Sequence, residues 1–210
     1  MRKLAILLLS VCTSVFAQTA DQGSKAHKHG AAKAGGGSDA QFATKAAQGN
    51  MAEVNLGKLA TEKSQSDDVK KFGQMMVDDH SKAGDDLKGV ASKNNLTLPD
   101  DVNAQQKAEQ QRLEKLSGAA FDRAYMQMMV KDHVKDVAEF KKEANSTAAN
   151  SDLRDFAKRT YPTLENHLTQ AKAVNEALSS KAGASGKATG KSKKKTTSSS
   201  AAGGTGLLVI

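Results

Sequence analysis

The sequence has a single cysteine, no tryptophan and only two prolines among its 210 residues. The cysteine, Cys12, lies in an amino-terminal apolar stretch that we expect to be removed on export. The mature chain is therefore predicted to form no disulfide and to offer no thiolate to a metal ion. Its core must then be held together by packing alone.

The sequence also lacks a hydrophobic run long enough to cross a membrane, which takes roughly 20 apolar residues. Residues 1–17, MRKLAILLLSVCTSVFA, combine two positive residues, a short apolar run and small residues. This pattern is typical of a secretory signal peptide, here cleaved after Ala17. Because Val11 rather than a small residue precedes Cys12, we favour a soluble exported protein over a lipid-anchored one. The predicted location is the periplasm or the outside of the cell, with or without association with the envelope.

The formal net charge of +8 comes from the two ends of the chain. Residues 38–180 carry 20 basic and 22 acidic residues, so this segment does not predict specific nucleic-acid binding. Residues 18–37 are expected to form a flexible leader. The tail, residues 181–210, is rich in Lys, Ser and Gly and cannot bury enough apolar surface to fold, so disorder is predicted. Two roles stay open for the tail: a solvated appendage, or a contact with an anionic envelope surface.

The central segment, residues 38–180, is long enough for one domain with its own core. Apolar and small residues recur at helical spacing through most of it, and the alternation typical of strands is almost absent. The sequence therefore predicts an all-α fold, a four-helix bundle made of two helical hairpins joined by a helical crossover. The predicted helices cover residues 39–64, 67–95, 101–116 (the crossover), about 121–144 and about 152–178.

One motif occurs twice, as QMMVDDHSK in residues 74–82 and as QMMVKDHVK in residues 127–135. In each copy a methionine lies one helical turn before the histidine, on the same face of the helix. The aspartate before each histidine points about 100° away, towards a neighbouring helix or the rim. The repeat thus predicts two inward-facing histidines with similar surroundings. The histidines are His80 and His133, the methionines are Met76 and Met129, and the aspartates are Asp79 and Asp132.

Two further ionisable residues are predicted at the same height in the bundle. Glu53 and His80 lie at similar distances from the first hairpin turn, so their heights differ by only about 4 Å. His133 and His167 stand in the same relation to the second turn, with a difference of about 6 Å. Both pairs lie near the middle of their hairpins, so they meet at the same height whichever way the crossover orients the second hairpin. We therefore expect these four side chains to meet in one layer near the middle of the bundle.

Three imidazoles and one carboxylate from facing helices form a donor set for a transition-metal ion such as Cu, Zn or Fe. The methionines of the repeat would lie nearby and tilt the choice towards copper, and its aspartates are candidates for orienting the rings. The alternative is a structural layer of neutral, hydrogen-bonded histidines. The usual di-iron pattern is not met, because Val77, Val130 and Leu164 stand three residues before the inward histidines.

A family resemblance rests on four motifs in order behind an export signal. They are AAQGNMAEVNLGKLA, FGQMMVDDHSKA, YMQMMVKDHVKDVAEF and YPTLENHLTQA. Over about residues 39–178 the chain resembles an exported bacterial ferritin-like family, domain of unknown function 4142. The resemblance implies a ferritin-like four-helix bundle outside the cytoplasm, and it implies no established activity. The positions that match the family's motifs are Glu53, Asp79, His80, Asp132, His133 and His167, and no proven role comes with them.

The familiar catalytic signatures are missing from the sequence, which has no phosphate-binding glycine loop, no CxxC and no dinucleotide-binding fingerprint. Two functions of different classes stay open. The first, which the sequence favours, is a non-catalytic envelope bundle with a structural or stress-related role. The second is a periplasmic metal-binding or small redox protein that uses the glutamate and histidine layer.

Overall fold

The computed structural model describes residues 36–189, and side chains within residues 37–181. The predicted signal peptide, most of the leader and residues 190–210 of the tail lie outside the described residues. The described part of the chain contains five helices and no strand. The helices are α1 (Gly36–Lys63), α2 (Asp67–Lys93), α3 (Ala104–Glu114), α4 (Gly118–Ala144) and α5 (Ser151–Thr189).

The four long helices form two hairpins, as predicted. α1 packs extensively on α2, and α4 packs extensively on α5. Contacts between α2 and α5 join the hairpins, and α3 touches both α1 and α4 as the crossover. The all-α class and the ferritin-like arrangement of the helices are thereby confirmed. No helix in the described range is long and apolar enough to cross a membrane.

Asparagine side chains fix where two of the helices begin. Asn103 accepts a hydrogen bond from the backbone NH of Gln106 at 3.0 Å, and the Gln106 side chain accepts one from the backbone NH of Asn103 at 2.9 Å. This capping box starts α3. Asn150 starts α5, because its Oδ1 accepts from the backbone NH of Asp152 at 2.8 Å.

The observed helices differ from the predicted spans by a few residues at several ends, most clearly at the start of α3 and the end of α5. The Asp101 carboxylate accepts from the backbone NH of Val102 at 2.7 Å, which makes a turn, and α3 begins only at Ala104. α5 continues to Thr189, nine residues beyond the predicted domain end at Ser180.

Two apolar clusters fill the bundle, one towards each end. The first includes Phe72 and Tyr125, near the start of α2 and α4. The second includes Leu87, Phe140 and Phe156, near the end of α2 and α4 and the start of α5. Between the two clusters, the inward positions of α2, α4 and α5 are histidines. A polar layer buried in this way costs free energy unless its groups are paired, so its contacts decide what the layer does.

α1 and α2 approach each other closely where two glycines meet. A Cβ atom on Gly57 would lie 2.6 Å from the Gly73 carbonyl oxygen, and a Cβ on Gly73 would lie 2.8 Å from the Gly57 carbonyl oxygen. Neither position has room for a methyl group. Seven residues along each helix from this contact are Asn50 on α1 and His80 on α2, and the close approach brings these two side chains within bonding distance.

Candidate metal centre

Three histidines from three helices meet between the two apolar clusters. His80 lies on α2, His133 on α4 and His167 on α5, with exposed fractions of 5%, 0% and 1%. One ring nitrogen of each lies within 4.8 Å of the corresponding nitrogens of the other two. Within residues 36–189, no other group of three or more His, Cys, Asp or Glu side chains comes this close together. The structure thus brings together the three histidines that the sequence predicts to face inward.

A chain of polar contacts runs through two of these rings. His133 Nδ1 lies 3.0 Å from the carbonyl oxygen of Met129, one turn earlier on α4. On the other side of the ring, His133 Nε2 lies 3.3 Å from His167 Nδ1. His167 Nε2 then lies 2.8 Å from Asp79 Oδ2. Because the Asp79 side chain is 43% exposed, the chain of contacts connects the core to the surface.

The third ring, His80, has a partner on one nitrogen only. Its Nδ1 lies 3.0 Å from Asn50 Oδ1 on α1. Its Nε2 is buried and has no hydrogen-bond partner. If Nδ1 donates to the amide oxygen, as the contact indicates, the neutral ring carries a bare lone pair on Nε2. Buried polar atoms without a partner are uncommon, and an ion is one of the explanations for them.

No combination of neutral tautomers satisfies the contacts of His133 and His167. A carbonyl oxygen only accepts, so the contact with Met129 requires a hydrogen on His133 Nδ1 and leaves Nε2 bare. If His167 donates from Nε2 to the Asp79 carboxylate, its bare Nδ1 faces the bare Nε2 of His133. If it donates from Nδ1 instead, its bare Nε2 faces the carboxylate. One repulsive contact remains in either case while Asp79 is ionised, and a proton or a metal ion added between the groups removes it.

Burial disfavours an added proton on any of the three rings, because it lowers their pKa values. Desolvation, followed by repulsion from the other two rings, lowers the pKa of His80 well below its usual 6.5. Desolvation lowers the pKa of His133 to about 4. For His167, desolvation outweighs the opposing effect of Asp79, and the pKa is lowered as well. The three rings are therefore neutral at pH 7, the form in which histidine binds metals.

Glu53, the fourth predicted ligand, lies beside the cluster and not within it. Its Oε1 is 4.0 Å from His133 Nδ1, the nitrogen that faces away from His167. Its Oε2 has no partner, and the residue is only 4% exposed. Burial, and then repulsion from Asp136 and Asp132, raise the pKa of Glu53 well above 4.5. Height along the helix is as predicted, but the carboxylate approaches His133 from the opposite side of the ring.

The remaining predicted partners take different places. Asp132 forms an ion pair with Lys135 at 3.2 Å and has no bond to a histidine among the described residues. Met76 and Met129 are fully buried in the apolar cluster that includes Phe72. Met129 acts on His133 through its backbone carbonyl. Of the two aspartates that directly precede a histidine in the motif, only Asp79 orients a ring of the cluster.

Asn50 is the residue that sequence reasoning missed. It is buried, and its side chain holds His80. The signal was present in the sequence, since Asn50 lies four residues after Ala46 and three before Glu53, on the inward face of a helix otherwise lined with small residues. An amide at such a position needs a partner in the core, which is a reason to search for one.

Two clefts border the histidines. One, of about 450 Å³, lies between α1, α2 and the connection that follows α2, and Asn50 and His80 line it. The other, of about 210 Å³, lies between α2 and α5, and Asp79, His80 and His167 line it. The clefts therefore reach His80 and His167, whereas His133 lines neither of them.

Comparison with known proteins adds the family. A family model described as a domain of unknown function, DUF4142, matches residues 24–174, which is well over half of the chain. The chain belongs to the DUF4142 family. Both copies of the repeated motif and all three clustered histidines lie in the segment matched by the DUF4142 model. No curated protein matches this DUF4142 sequence.

Two solved structures share the fold of the DUF4142 chain. The "putative secreted protein DUF305" from Streptomyces coelicolor is 14% identical, with 67% of this chain and 93% of that chain covered and a TM-score of 0.57. A DUF305 fragment from Deinococcus radiodurans is also 14% identical, with 66% and 95% covered and a TM-score of 0.58. At this level of identity, the likeness shows the fold of the DUF4142 protein alone.

Proposed function

We propose that this is an exported metal-binding protein in which His80, His133 and His167 hold one transition-metal ion. The observation that carries the proposal is the 3.3 Å contact between His133 Nε2 and His167 Nδ1, which neutral rings cannot satisfy together with the 2.8 Å contact between His167 Nε2 and the Asp79 carboxylate. An ion shared by the two nitrogens replaces repulsion with two ligand bonds. With metal–nitrogen bonds of about 2.0–2.1 Å and tetrahedral angles, two such donors lie about 3.4 Å apart. The separation in the protein fits this value.

The outer contacts support the same proposal. Each ring faces an acceptor through the nitrogen that would not bind the metal: Met129 O for His133, Asn50 Oδ1 for His80 and Asp79 Oδ2 for His167. Metal-bound histidines commonly donate their second ring NH to a carbonyl or carboxylate, which fixes the tautomer and the orientation of the ring. Here all three rings have such a partner.

The donor set favours copper or zinc as the occupant. Three imidazole nitrogens suit Zn, Cu, Fe and Ni, and among divalent ions Cu²⁺ binds a given nitrogen site most tightly. Non-haem iron centres of the facial type use a carboxylate with two histidines. Glu53 lies on the other side of His133 from the shared contact, which argues against iron. Three protein ligands leave a fourth position for water or another small ligand.

Metal titration of the tag-free mature protein tests the proposal. We expect one Cu²⁺ or Zn²⁺ per chain, measured by competition with a chromophoric chelator and checked by elemental analysis. His80→Gln and His167→Gln should each weaken binding strongly while circular dichroism remains helical. The matched control is His27→Ala/His29→Ala, which removes the two other histidines of the chain and should preserve the single tight site.

A structural histidine layer predicts the opposite result. In that case, the folded protein would take up no near-stoichiometric metal, and the His80 variant would differ from the parent protein in stability alone. A site that disappeared in the His27/His29 variant would also contradict the proposal, because the metal would then be bound in the leader.

Export belongs to the same proposal. It is supported by the signal-like pattern of residues 1–17 and by the likeness to the "putative secreted protein DUF305" from Streptomyces coelicolor. Amino-terminal sequencing of the protein from a periplasmic fraction should place the first residue at Gln18. Recovery of the uncleaved chain from the cytoplasm alone would contradict export. Binding of the mature protein to anionic envelope material, with and without residues 190–210, tests the role predicted for the tail.

A further inference from the structure

Glu53 faces a cavity that is separate from the clefts at the histidines. The cavity has a volume of about 290 Å³ and lies between α1, α3 and α4. Glu53 is a lining residue, although it is only 4% exposed, and its Oε2 has no hydrogen-bond partner. A buried carboxylate oxygen without a partner, on the wall of a cavity, requires an explanation that the histidine cluster does not give.

Carboxylates outnumber lysines around this cavity. Five acidic side chains and two lysines line it, and three of the acidic side chains have lysine partners. The two that have no lysine or arginine partner in the described part of the chain are Glu53 and Asp136. The pairs are Lys45 with Glu139 at 2.8 Å, Lys135 with Asp132 at 3.2 Å, and Lys131 with Glu109 at 3.9 Å.

The pKa values of Glu53 and Asp136 are both raised, as expected for buried carboxylates with no positive charge beside them. Burial, and then repulsion from Asp136 and Asp132, raise the pKa of Glu53 well above its usual value. Burial, and then repulsion from Asp132 and Glu139, raise the pKa of Asp136 to about 7. A cation between the carboxylates would reverse both repulsions.

We propose that this cavity is a second cation site, in which the carboxylates of Glu53 and Asp136 bind a hard divalent ion such as Mn²⁺ or Mg²⁺. Oxygen donors select hard cations, whereas the imidazoles of the histidine cluster select copper and zinc. The acidic groups do not come together as closely as the three histidines do. The ion therefore keeps several of its waters, as Mg²⁺ usually does when one or two carboxylates bind it, and the binding is weak.

The two sites share a wall and use different donors. Glu53 Oε1 lies 4.0 Å from His133 Nδ1, so the His133 ring stands between the carboxylate and the contact with His167. Gln105 and Gln106 of the crossover helix α3, and Asn103 just before it, also line the acidic cavity. Occupation of one site does not require occupation of the other, which allows them to be tested separately.

Mn²⁺ is the probe for the acidic cavity, because its electron paramagnetic resonance signal reports binding directly. Titration of the full mature chain, with the histidine site first saturated with Zn²⁺, should reveal one weak Mn²⁺ site. Glu53→Gln and Asp136→Asn should each weaken it by roughly tenfold or more, since even outer-shell partners are worth 10–100-fold in metal affinity. Both variants should still take up one Zn²⁺. The matched control is Asp85→Asn, an exposed carboxylate paired with Lys88, which should leave Mn²⁺ binding unchanged.

Three results would overturn the proposal: no Mn²⁺ bound at millimolar concentration, binding that is insensitive to both substitutions, or binding that His80→Gln removes. The last would assign the Mn²⁺ to the histidine cluster. If Glu53→Gln does not fold, the half-buried Asp136→Asn variant decides the matter. Zn²⁺ uptake is measured in every sample, so failure of the histidine site is distinguished from failure of the acidic one.

Discussion

Asp79 Oδ2 lies 2.8 Å from His167 Nε2. The Asp79 side chain is half-exposed, whereas the His167 side chain is buried. The contact joins α2 to α5, and it reaches the histidine cluster from the surface. Because one partner is accessible and the other is not, the orientation of a buried ring can be altered without opening the core.

Asp79→Asn should weaken metal binding by about 10–100-fold, the usual effect of removing a partner of a metal-bound histidine. The amide still accepts from the ring but no longer carries a negative charge to offset that of the ion. The free energy of unfolding of the metal-free protein should change little, because the carboxylate is 43% exposed. Competition titrations with Zn²⁺ measure the affinity. Asp78→Asn, an exposed neighbour bonded to Gln74, is the control, and equal affinities of the two variants would argue against the role of Asp79.

The stability of the metal-free protein should fall in acid because of His133. Its pKa is about 4 in the folded state against 6.5 when unfolded, so the unfolded chain takes up a proton that the folded chain refuses. Stability is therefore lost as pH falls from about 6.5 towards 4, by about 3 kcal/mol from this residue. Urea unfolding of the parent protein and His133→Gln over this range tests it. The difference in unfolding free energy between the two should shrink as pH falls, and parallel curves would count against a neutral buried ring.

Asp136 should have the opposite dependence. Burial and neighbouring carboxylates raise its pKa to about 7, so ionising it in the folded state costs stability as pH rises from about 4 to 7. Asp136→Asn should stabilise the protein at and above pH 7 and have progressively less effect as pH falls towards 4. The same unfolding series measures this, with the exposed Asp85→Asn as control. The contributions of His133 and Asp136 to the free energy of unfolding change in opposite directions with pH. Together they should therefore change the free energy of unfolding of the parent protein less than either contribution does alone.

Gly57→Ala should destabilise the protein, since the new methyl group would lie 2.6 Å from the Gly73 carbonyl oxygen. Overpacking of this kind typically costs about 1–3 kcal/mol. Gly89→Ala is the matched control on an exposed part of α2, where nothing lies within 4 Å. That change should stabilise by up to about 1 kcal/mol, because alanine favours the helix. Thermal unfolding of the metal-free proteins compares them, and a Gly57→Ala protein as stable as its parent would contradict the close helix contact.

The fold was predictable because helical periodicity indicates which residues face inward, and the turn residues indicate where each hairpin reverses direction. The same information gives heights along the bundle, which is why His80, His133 and His167 were expected in one layer. Periodicity does not specify the rotation of each helix about its axis finely enough to say which side of a ring a neighbour approaches. Glu53 was therefore placed at the right height, and its position on the Nδ1 side of His133 emerged only from the structure.

The partners of individual side chains were the other part that the sequence could not supply. The motif suggests equal roles for Asp79 and Asp132, yet one bonds a histidine and the other a lysine. The difference arises because α2 faces α5 at this height, while Asp132 on α4 borders the acidic cavity beside α1 and α3. Two copies of one motif thus acquire different partners from their different neighbours.

The histidine cluster draws one member from the first hairpin and two from the second. An ion held there would act as a removable cross-link, closing a loop of more than fifty residues between His80 and His133 in a chain that has no cysteine after Cys12. Separation of the hairpins and release of the ion would then be one event. Hydrogen exchange should show the metal slowing the opening of both hairpins together, so that two units able to loosen independently become a single cooperative one.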